Sequence, residues 1–138
     1  PAYAAADFKI IPNSMTATWE YAPGSQRRQP ACNVFFRYFA TYPYYSDAIW
    51  YLTQMRRWGQ IGEAKSDEWY KQTAADVYKP EIYLAAAKAL IAEKKLQPKD
   101  VPTTDGFKPA TNEFIDGITY DAREPNAYLR KLAIGRKD

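Results

Sequence analysis

The 138-residue chain contains no histidine and one cysteine, Cys32. Without histidine it holds no Ser-His-Asp or Cys-His relay, no imidazole base near neutral pH and no His-ligated metal. One cysteine closes no intramolecular disulfide and builds no Cys-rich zinc site. The six glycines are too scattered to form a phosphate-binding loop. These absences argue against most enzymes and predict no cofactor, although a carboxylate-only or metal-assisted site stays open.

Long apolar runs and a dense basic stripe are also missing. The longest apolar run, Ile82–Ala87, has six residues, whereas a membrane span needs roughly 20. The net charge of +3 rests on scattered arginines, which indicates a solvated surface and no nucleic-acid partner. The sequence begins at Pro1 without Met or an apolar leader, so we expect an internal or processed start. The excess of positive charge comes from Arg27, Arg28, Arg37, Arg56 and Arg57.

Aromatic residues, by contrast, are abundant: 12 Tyr, 6 Phe and 4 Trp. Side chains of this kind fill a core, but they also suit a ligand cleft or a partner surface. Residues 1–45 hold five of the ten prolines, which predicts an extended, Pro-rich segment with short strands. Strand-like pieces fall at Phe8–Ile11, Thr16–Tyr21 and Val34–Phe39, and a turn is expected at Pro23–Ser25.

Residues 46–138 are predicted to form a helical C-terminal module. The first helix spans Asp47–Trp58, with Ser46 as its cap and Gly59 as its stop. Its apolar face is expected to consist of Ala48, Tyr51, Leu52, Met55 and Trp58. The fold class is therefore mainly α with a few short strands (α+β).

Four further helices are predicted from capping residues and composition. Asp67–Tyr78 follows the cap Ser66, and a third helix begins at Pro80 and ends near Lys95. Shorter helices are expected at Asn112–Asp116 and Pro125–Leu132.

Two groups are candidate binding residues. Tyr42, Tyr44, Tyr45 and Ser46 lie just before a helix N-terminus, where free backbone N–H groups attract anions. Packing in the core or between lobes is the alternative for this cluster. Arg56 and Arg57 could pair with an acidic partner, or they could simply complement the C-terminal end of their helix.

The remaining clusters predict less. Four tryptophans could form a stacking platform, although Trp58 fits a helix core face more simply. The four tryptophans are Trp19, Trp50, Trp58 and Trp69.

A second cluster is a loop that carries three acids, Asp116, Asp121 and Glu124. Their spacing is not that of a twelve-residue calcium loop, so no metal site is predicted.

Two stretches carry a family resemblance. The first runs from Ala40 to Thr53 and reads Ala-Thr-Tyr-Pro-Tyr-Tyr-Ser-Asp-Ala-Ile-Trp-Tyr-Leu-Thr, followed by Arg57-Trp58-Gly59. The second runs from Phe114 to Asp121, followed by Pro125 and Ala127-Tyr128-Leu129. In this order and spacing they resemble the C-terminal part of substrate-binding proteins of nitrate/bicarbonate-type ABC transporters, within the nitrate/sulfonate/taurine group.

The resemblance covers roughly Phe39 to Ile134 and implies a fold. The parent would be a two-lobed, periplasmic-binding-protein-like α/β protein that closes around a small anion. This chain would be its C-terminal portion or a free-standing derivative of it. The implied partners are a small anionic solute and either a membrane permease or the missing N-terminal part of the same protein. The location would be periplasmic or cell-envelope if the parent carries a signal, and a cytoplasmic location stays open.

One stretch departs from the family pattern. Where that pattern has Lys-Ser-His-Asp, this chain has Tyr45-Ser46-Asp47-Ala48. A cation and an imidazole are thus replaced by a phenol and a carboxylate. The primary hypothesis is a non-catalytic solute-binding component of an importer for nitrate, bicarbonate or a sulfonate. The alternative is a regulatory or protein-interaction domain that retains the scaffold without the anion site.

Overall fold

A computed structural model of the chain describes residues 18–28, 34 and 37–135. The chain divides between Thr41 and Tyr42 into two units. The predicted strand Phe8–Ile11 and Cys32 lie outside the described residues, as does part of the predicted strand Val34–Phe39.

The first unit contains an antiparallel hairpin. Strand β1 spans Thr18–Ala22, strand β2 spans Ser25–Arg28, and Trp19 pairs with Arg27. Gly24 takes φ +74° in the connecting turn, which confirms the turn predicted there. The predicted strand Val34–Phe39 is wrong at its C-terminal end, because Arg37–Phe39 forms a 3-10 turn. Phe39 has φ +55°, which is incompatible with an extended strand.

The second unit begins with helix α1, Tyr45–Arg57. It starts two residues earlier than predicted, and Ser46 is not its cap. Tyr44 occupies the cap position without a side-chain hydrogen bond, and the Ser46 hydroxyl instead accepts from the Lys108 backbone N–H at 2.7 Å. At the other end the predicted stop is confirmed, because Gly59 adopts φ +78° just beyond the helix.

The buried face of α1 differs from the predicted apolar face. Ile49 and Thr53 are fully buried, and Gln54 is nearly so. The two polar side chains are tolerated because the Thr53 hydroxyl donates to the Trp50 carbonyl at 2.6 Å and the Gln54 amide reaches the hydroxyl of Tyr128 at 3.4 Å. The expected core face is wrong for three exposed residues: Tyr51, Met55 and Trp58.

Three more helices follow. Helix α2 spans Asp67–Val77, and its predicted cap is confirmed because Ser66 Oγ accepts from the Trp69 N–H at 3.1 Å. Helix α3 spans Pro80–Ala92, with Pro80 at the start as predicted. A 3-10 turn at Pro98–Asp100 precedes the short helix α4, Pro125–Leu129.

The helix predicted at Asn112–Asp116 does not form. A turn replaces it, closed by a 2.9 Å hydrogen bond from the Gly117 N–H to the Phe114 carbonyl. Gly117 takes φ +64°, and the Asp116 carboxylate accepts from the Ile118 N–H at 3.0 Å. Both features favour a turn over a helix.

Helices α1, α2 and α4 pack around one core. Tyr70, Tyr128 and Ile49 are its largest fully buried apolar side chains. Helix α3 buries only Pro80 and Ala87. The described part of the chain is mostly helical with two short strands, as predicted, and none of its helices is long and apolar enough to cross a membrane.

Candidate functional site

A pocket of about 410 Å³ lies beside the N-terminal half of α1. One side consists of the helix itself, and the other consists of the chain that follows α3. The sequence brings the two together because the Ser46 hydroxyl fixes the Lys108 backbone and a bridge pairs Thr111 with Tyr120. The lining residues are Ser46, Asp47, Trp50, Tyr51, Lys108, Pro109, Thr111, Glu113, Phe114, Tyr120 and Ala122.

Aromatic rings form the wall of this pocket. Trp50 stacks on Phe114, with ring centroids 5.5 Å apart and planes inclined by 19°. Tyr51 meets the edge of Trp50 at 5.4 Å, and Tyr120 meets Phe114 at 6.0 Å. The exposed fraction of Tyr51 is 60%, so this ring stands at the mouth of the pocket. The wall offers flat π surfaces to a bound group.

The charged side chains of the pocket are two acids and one base. Lys108 Nζ lies 2.7 and 2.8 Å from the two carboxylate oxygens of Asp47. The same ammonium lies 4.7 Å from the centre of the Tyr44 ring. Glu113 is the second acid, and no cation lies within ion-pair distance of it among the described residues. One Lys against two carboxylates leaves the lining with one net negative charge.

Tyr120 anchors the floor of the pocket. Its hydroxyl donates to the Ser46 carbonyl at 2.7 Å. Burial raises the pKa of the Tyr120 phenol well above its usual value of 10.0, and the carboxylates of Asp47 and Asp121 raise it further. The phenol therefore stays neutral and acts as a hydrogen-bond donor.

The four predicted ligand residues lie next to this pocket, but only Ser46 lines it. Tyr42 is buried and meets the rings of Tyr44 at 4.7 Å and Tyr83 at 5.2 Å. Burial raises the pKa of the Tyr42 and Tyr44 phenols. Ser46 is only 2% exposed. The cluster thus packs against neighbouring side chains at the N-terminus of α1.

Tyr45 covers a loop. Its ring packs against Phe107 at 5.7 Å and lies over Gly106. The backbone N–H of Tyr45 donates to the Gly106 carbonyl at 2.9 Å. The loop therefore supplies the acceptor that a capping side chain would otherwise provide to this first-turn N–H.

The two predicted docking arginines, Arg56 and Arg57, contact different partners. Arg56 Nη1 donates to the carbonyls of Ile61 and Gly62, both at 3.0 Å. Arg57 Nη1 lies 3.4 Å from the Gln54 side-chain oxygen and 3.9 Å from the Asp116 carboxylate. Both stand in the last turn of α1, as predicted.

Arg56 also lines a second, shallower concavity of about 410 Å³. Lys65 and Arg130 share it, with Asp67 as its acid. The Asp67 carboxylate is already occupied, because Asn126 donates to it through its backbone N–H at 2.9 Å and its side-chain amide at 2.7 Å. Three cations against one acid make this concavity basic.

Among the described residues of the second unit, neither the tryptophans nor the acids of the loop form a common site. Trp50 stacks on Phe114, Trp69 meets the edge of Tyr70 at 5.2 Å, and Trp58 is 59% exposed. Asp116 accepts from the Tyr128 hydroxyl at 3.1 Å. Within the described ranges, no three acids, cysteines or histidines gather as cation ligands.

Sequence patterns do not identify the residues that complete the pocket. Glu113 and Phe114 fall in the predicted helix that does not form, and Lys108 falls in a loop without a distinguishing pattern. The available signal is the isolated Glu-Phe pair between two turn-forming stretches, but it does not show which helix the pair faces.

Comparison with known proteins gives the class of the chain's relatives. They are solute-binding proteins named for nitrate, nitrite or bicarbonate, and they confirm the predicted resemblance to the nitrate/bicarbonate-type substrate-binding proteins of ABC transporters. No protein-family model matches the chain. No solved structure matches it either.

Three particular relatives show how much of the chain is shared. The chain is 36% identical over 93 residues to the nitrate/nitrite binding protein NrtA of Synechococcus elongatus, which is 67% of this chain and 19% of that protein. It is 35% identical over 97 residues to the bicarbonate-binding protein CmpA of the same species, covering 70% of this chain and 20% of that one. NrtA of a Nostoc species is 32% identical over 96 residues, which is 69% of this chain and 20% of that protein. The chain thus spans about a fifth of the length of the relatives it matches.

Proposed function

We propose that this chain is the C-terminal portion of the solute-binding component of an ABC-type importer for a small anion such as nitrate, bicarbonate or a sulfonate. The observation that carries the proposal is the identity of 32% to 36% with nitrate- and bicarbonate-binding proteins over about 70% of the chain. The role is non-catalytic. It places the protein in the periplasm or cell envelope if the parent carries a signal.

The mechanism is closure of a two-lobed α/β protein around its solute, followed by docking on a membrane permease. In this scheme the chain acts mainly as scaffold. Support comes from the packing of α1, α2 and α4 around one core and from the hydrogen bonds that tie α1 to the loop at Lys108. Such contacts stabilise a lobe without touching a solute.

Tyr42, Tyr44, Tyr45 and Ser46 remain our candidates for solute contact, and their exposure ranks them. Tyr44 and Tyr45 are half-buried, whereas Tyr42 and Ser46 are buried. Neither the phenols nor the Asp47 carboxylate supplies a positive charge. Lys108 lies beside Tyr44 but is already paired with Asp47, so a small anion bound here would depend on cations from the remainder of the parent.

Titration calorimetry of the full-length parent with nitrate, bicarbonate and a sulfonate tests this proposal. One of these anions should bind, and exchange of two positions for the family residues, Tyr45→Lys with Asp47→His, should strengthen its binding. Tyr45→Phe is the matched control. Failure of all three anions, with tight binding of an unrelated solute, would overturn the anion assignment.

We place the permease-docking face at Arg56 and Arg57. The basic concavity that Arg56 forms with Lys65 and Arg130 is suited to an acidic segment of a partner. A transport assay with the double variant Arg56→Gln and Arg57→Gln should show slower uptake with unchanged solute affinity. If uptake and solute affinity fall by the same factor, these arginines act on the solute site instead.

A second candidate function is a regulatory or interaction domain that retains this scaffold without the anion site. The net negative lining beside α1 favours it, because Asp47 stands where the family pattern has histidine. A parent that binds none of the anions, together with a purified non-transporter partner that binds with defined stoichiometry, would support this alternative.

A further inference from the structure

The lining of the pocket beside α1 carries one net negative charge, which disfavours a small anion, and four aromatic side chains. Its charged lining consists of Asp47, Glu113 and Lys108, and the lysine is already paired with Asp47. We propose that this pocket binds a monovalent organic cation with an apolar body, an aryl- or alkylammonium. This inference goes beyond the proposed anion transport and does not depend on it.

The protein already holds one ammonium group in this environment. Lys108 Nζ donates to both oxygens of Asp47 at 2.7 and 2.8 Å, and it lies 4.7 Å from the Tyr44 ring centre. A carboxylate on one side and a π face on the other is a favourable environment for a bound alkylammonium. Tyr44 does not line the pocket, so a ligand there would meet the Trp50 and Tyr51 rings in its place.

Glu113 supplies the charge that a ligand would neutralise. The Glu113 backbone N–H donates to Thr111 Oγ1 at 3.2 Å, which fixes the backbone at the pocket edge. Its carboxylate is exposed and, among the described residues, forms no ion pair. A ligand cation would meet an unneutralised acid here and a neutralised one at Asp47.

The aromatic wall accounts for the apolar body. The Trp50–Phe114 stack presents a flat surface, and the Tyr51 ring borders it at the mouth. A volume of about 410 Å³ is far larger than a bare metal ion or nitrate requires, and it lies within the range of small-molecule pockets. A ligand therefore gains from ring contacts as well as from charge.

The experiment compares two probes of similar shape and opposite charge. Phenethylammonium and phenylpropionate are titrated into the 138-residue chain at fixed ionic strength, with calorimetry for affinity and the fluorescence of the four tryptophans as a second readout. Phenethylammonium should bind more tightly and change the fluorescence. Equal binding of both probes, preference for phenylpropionate, or no binding would overturn the proposal.

Variants of two charged residues of the pocket should change the affinity for phenethylammonium in opposite directions. Glu113→Gln should weaken phenethylammonium binding about twofold to fivefold, as expected for a partly exposed ion pair. Lys108→Gln should strengthen it, because Asp47 then loses its internal cation. Glu93→Gln, an exposed acid that pairs with Lys95, is the matched control and should change nothing. Weakening by both Glu113→Gln and Lys108→Gln would indicate general damage and would refute a cation site.

These outcomes are separate from those of the anion proposal. The anion titrations use the full-length parent, whereas the amine titrations use this chain. Nitrate or bicarbonate binding that survives in a Glu113→Gln parent, while phenethylammonium binding falls, would establish two independent sites. Competition between the amine and the anion for one site would overturn the assignment of the pocket.

Discussion

Replacement of Gly106 by alanine tests the contact that holds the loop onto the start of α1. Gly106 has φ +90°, and a Cβ placed there would lie 2.5 Å from Cδ2 and 2.8 Å from Cε2 of the Tyr45 ring. These distances are far shorter than a van der Waals contact between carbon atoms. On one side the ring also packs against Phe107, with ring centroids 5.7 Å apart. Gly106→Ala must therefore displace either the ring or the loop.

The expected cost has two parts. A left-handed backbone costs a non-glycine residue about 1–2 kcal/mol. Overpacking in a well-filled region costs about 1–3 kcal/mol. The sum for Gly106→Ala is about 2–5 kcal/mol, a large part of the total stability of a typical domain.

Gly117 is the matched control. It also has positive φ, +64°, but nothing lies within 4 Å of the position that a Cβ would take there. Gly117→Ala should therefore cost only the backbone part, about 1–2 kcal/mol. Urea unfolding of the unmodified chain and the two variants gives both losses, provided that the m-value is unchanged.

A double-mutant cycle isolates the ring contact. In a Tyr45→Ala background, Gly106→Ala should cost less than in the unmodified chain by the overpacking part, about 1–3 kcal/mol. Equal costs of Gly106→Ala and Gly117→Ala, or a cycle with no coupling to Tyr45, would refute the steric argument.

Three further predictions concern single side chains. Ser66→Ala removes the acceptor for the Trp69 N–H and should lower the free energy of unfolding by about 1 kcal/mol, measured by urea unfolding, while Ser66→Asp should retain most of it. Tyr128→Phe removes the 3.1 Å hydrogen bond to the Asp116 carboxylate and should cost about 1–2 kcal/mol in the same assay; no loss would mean that water replaces the contact. Burial raises the pKa of the Tyr120 phenol in the folded chain, so the phenol of the unfolded chain ionises first as the pH rises. The contribution of Tyr120 to the free energy of unfolding is therefore full below the ordinary tyrosine pKa of 10.0 and is lost as the pH rises above it. Thermal unfolding from neutral to alkaline pH measures this, and a Tyr120→Phe variant with an equally steep decline would assign the effect to other groups.

The three long helices and the cap of α2 are predictable from the sequence because their causes are local. Ser66 caps α2 by accepting a hydrogen bond from a residue three positions later. Pro80 starts α3 because the first N–H groups of a helix have no helical acceptor, so the N–H that proline lacks is not missed there. Ser46 shows where local reasoning ends. Its hydroxyl is used by Lys108, 62 residues away, so a residue with the right chemistry for a cap has a tertiary role instead.

The buried face of α1 shows a second limit of the same kind. Periodicity predicts Tyr51 and Trp58 inside, because a hydrophobic pattern scores large aromatic rings as buried. In the fold, Thr53 and Gln54 occupy that interior, and they can do so only because the Trp50 carbonyl and the Tyr128 hydroxyl satisfy them. Whether a buried polar group has a partner depends on tertiary contacts that one sequence does not reveal.

The departures from the family pattern are the most informative sequence signal for the site. Asp47 is recognisable in the sequence as the loss of an imidazole, but the residue that answers it is not. Lys108, 61 positions along the chain, places its ammonium 2.7 and 2.8 Å from the Asp47 carboxylate oxygens and so uses its charge within the protein. The positive charge is thus present but neutralised, and Glu113 remains as the acid without a partner in the described part of the pocket. The proposed anion binding in the parent and the proposed cation binding in this pocket therefore make different demands, because the lining beside α1 carries one net negative charge.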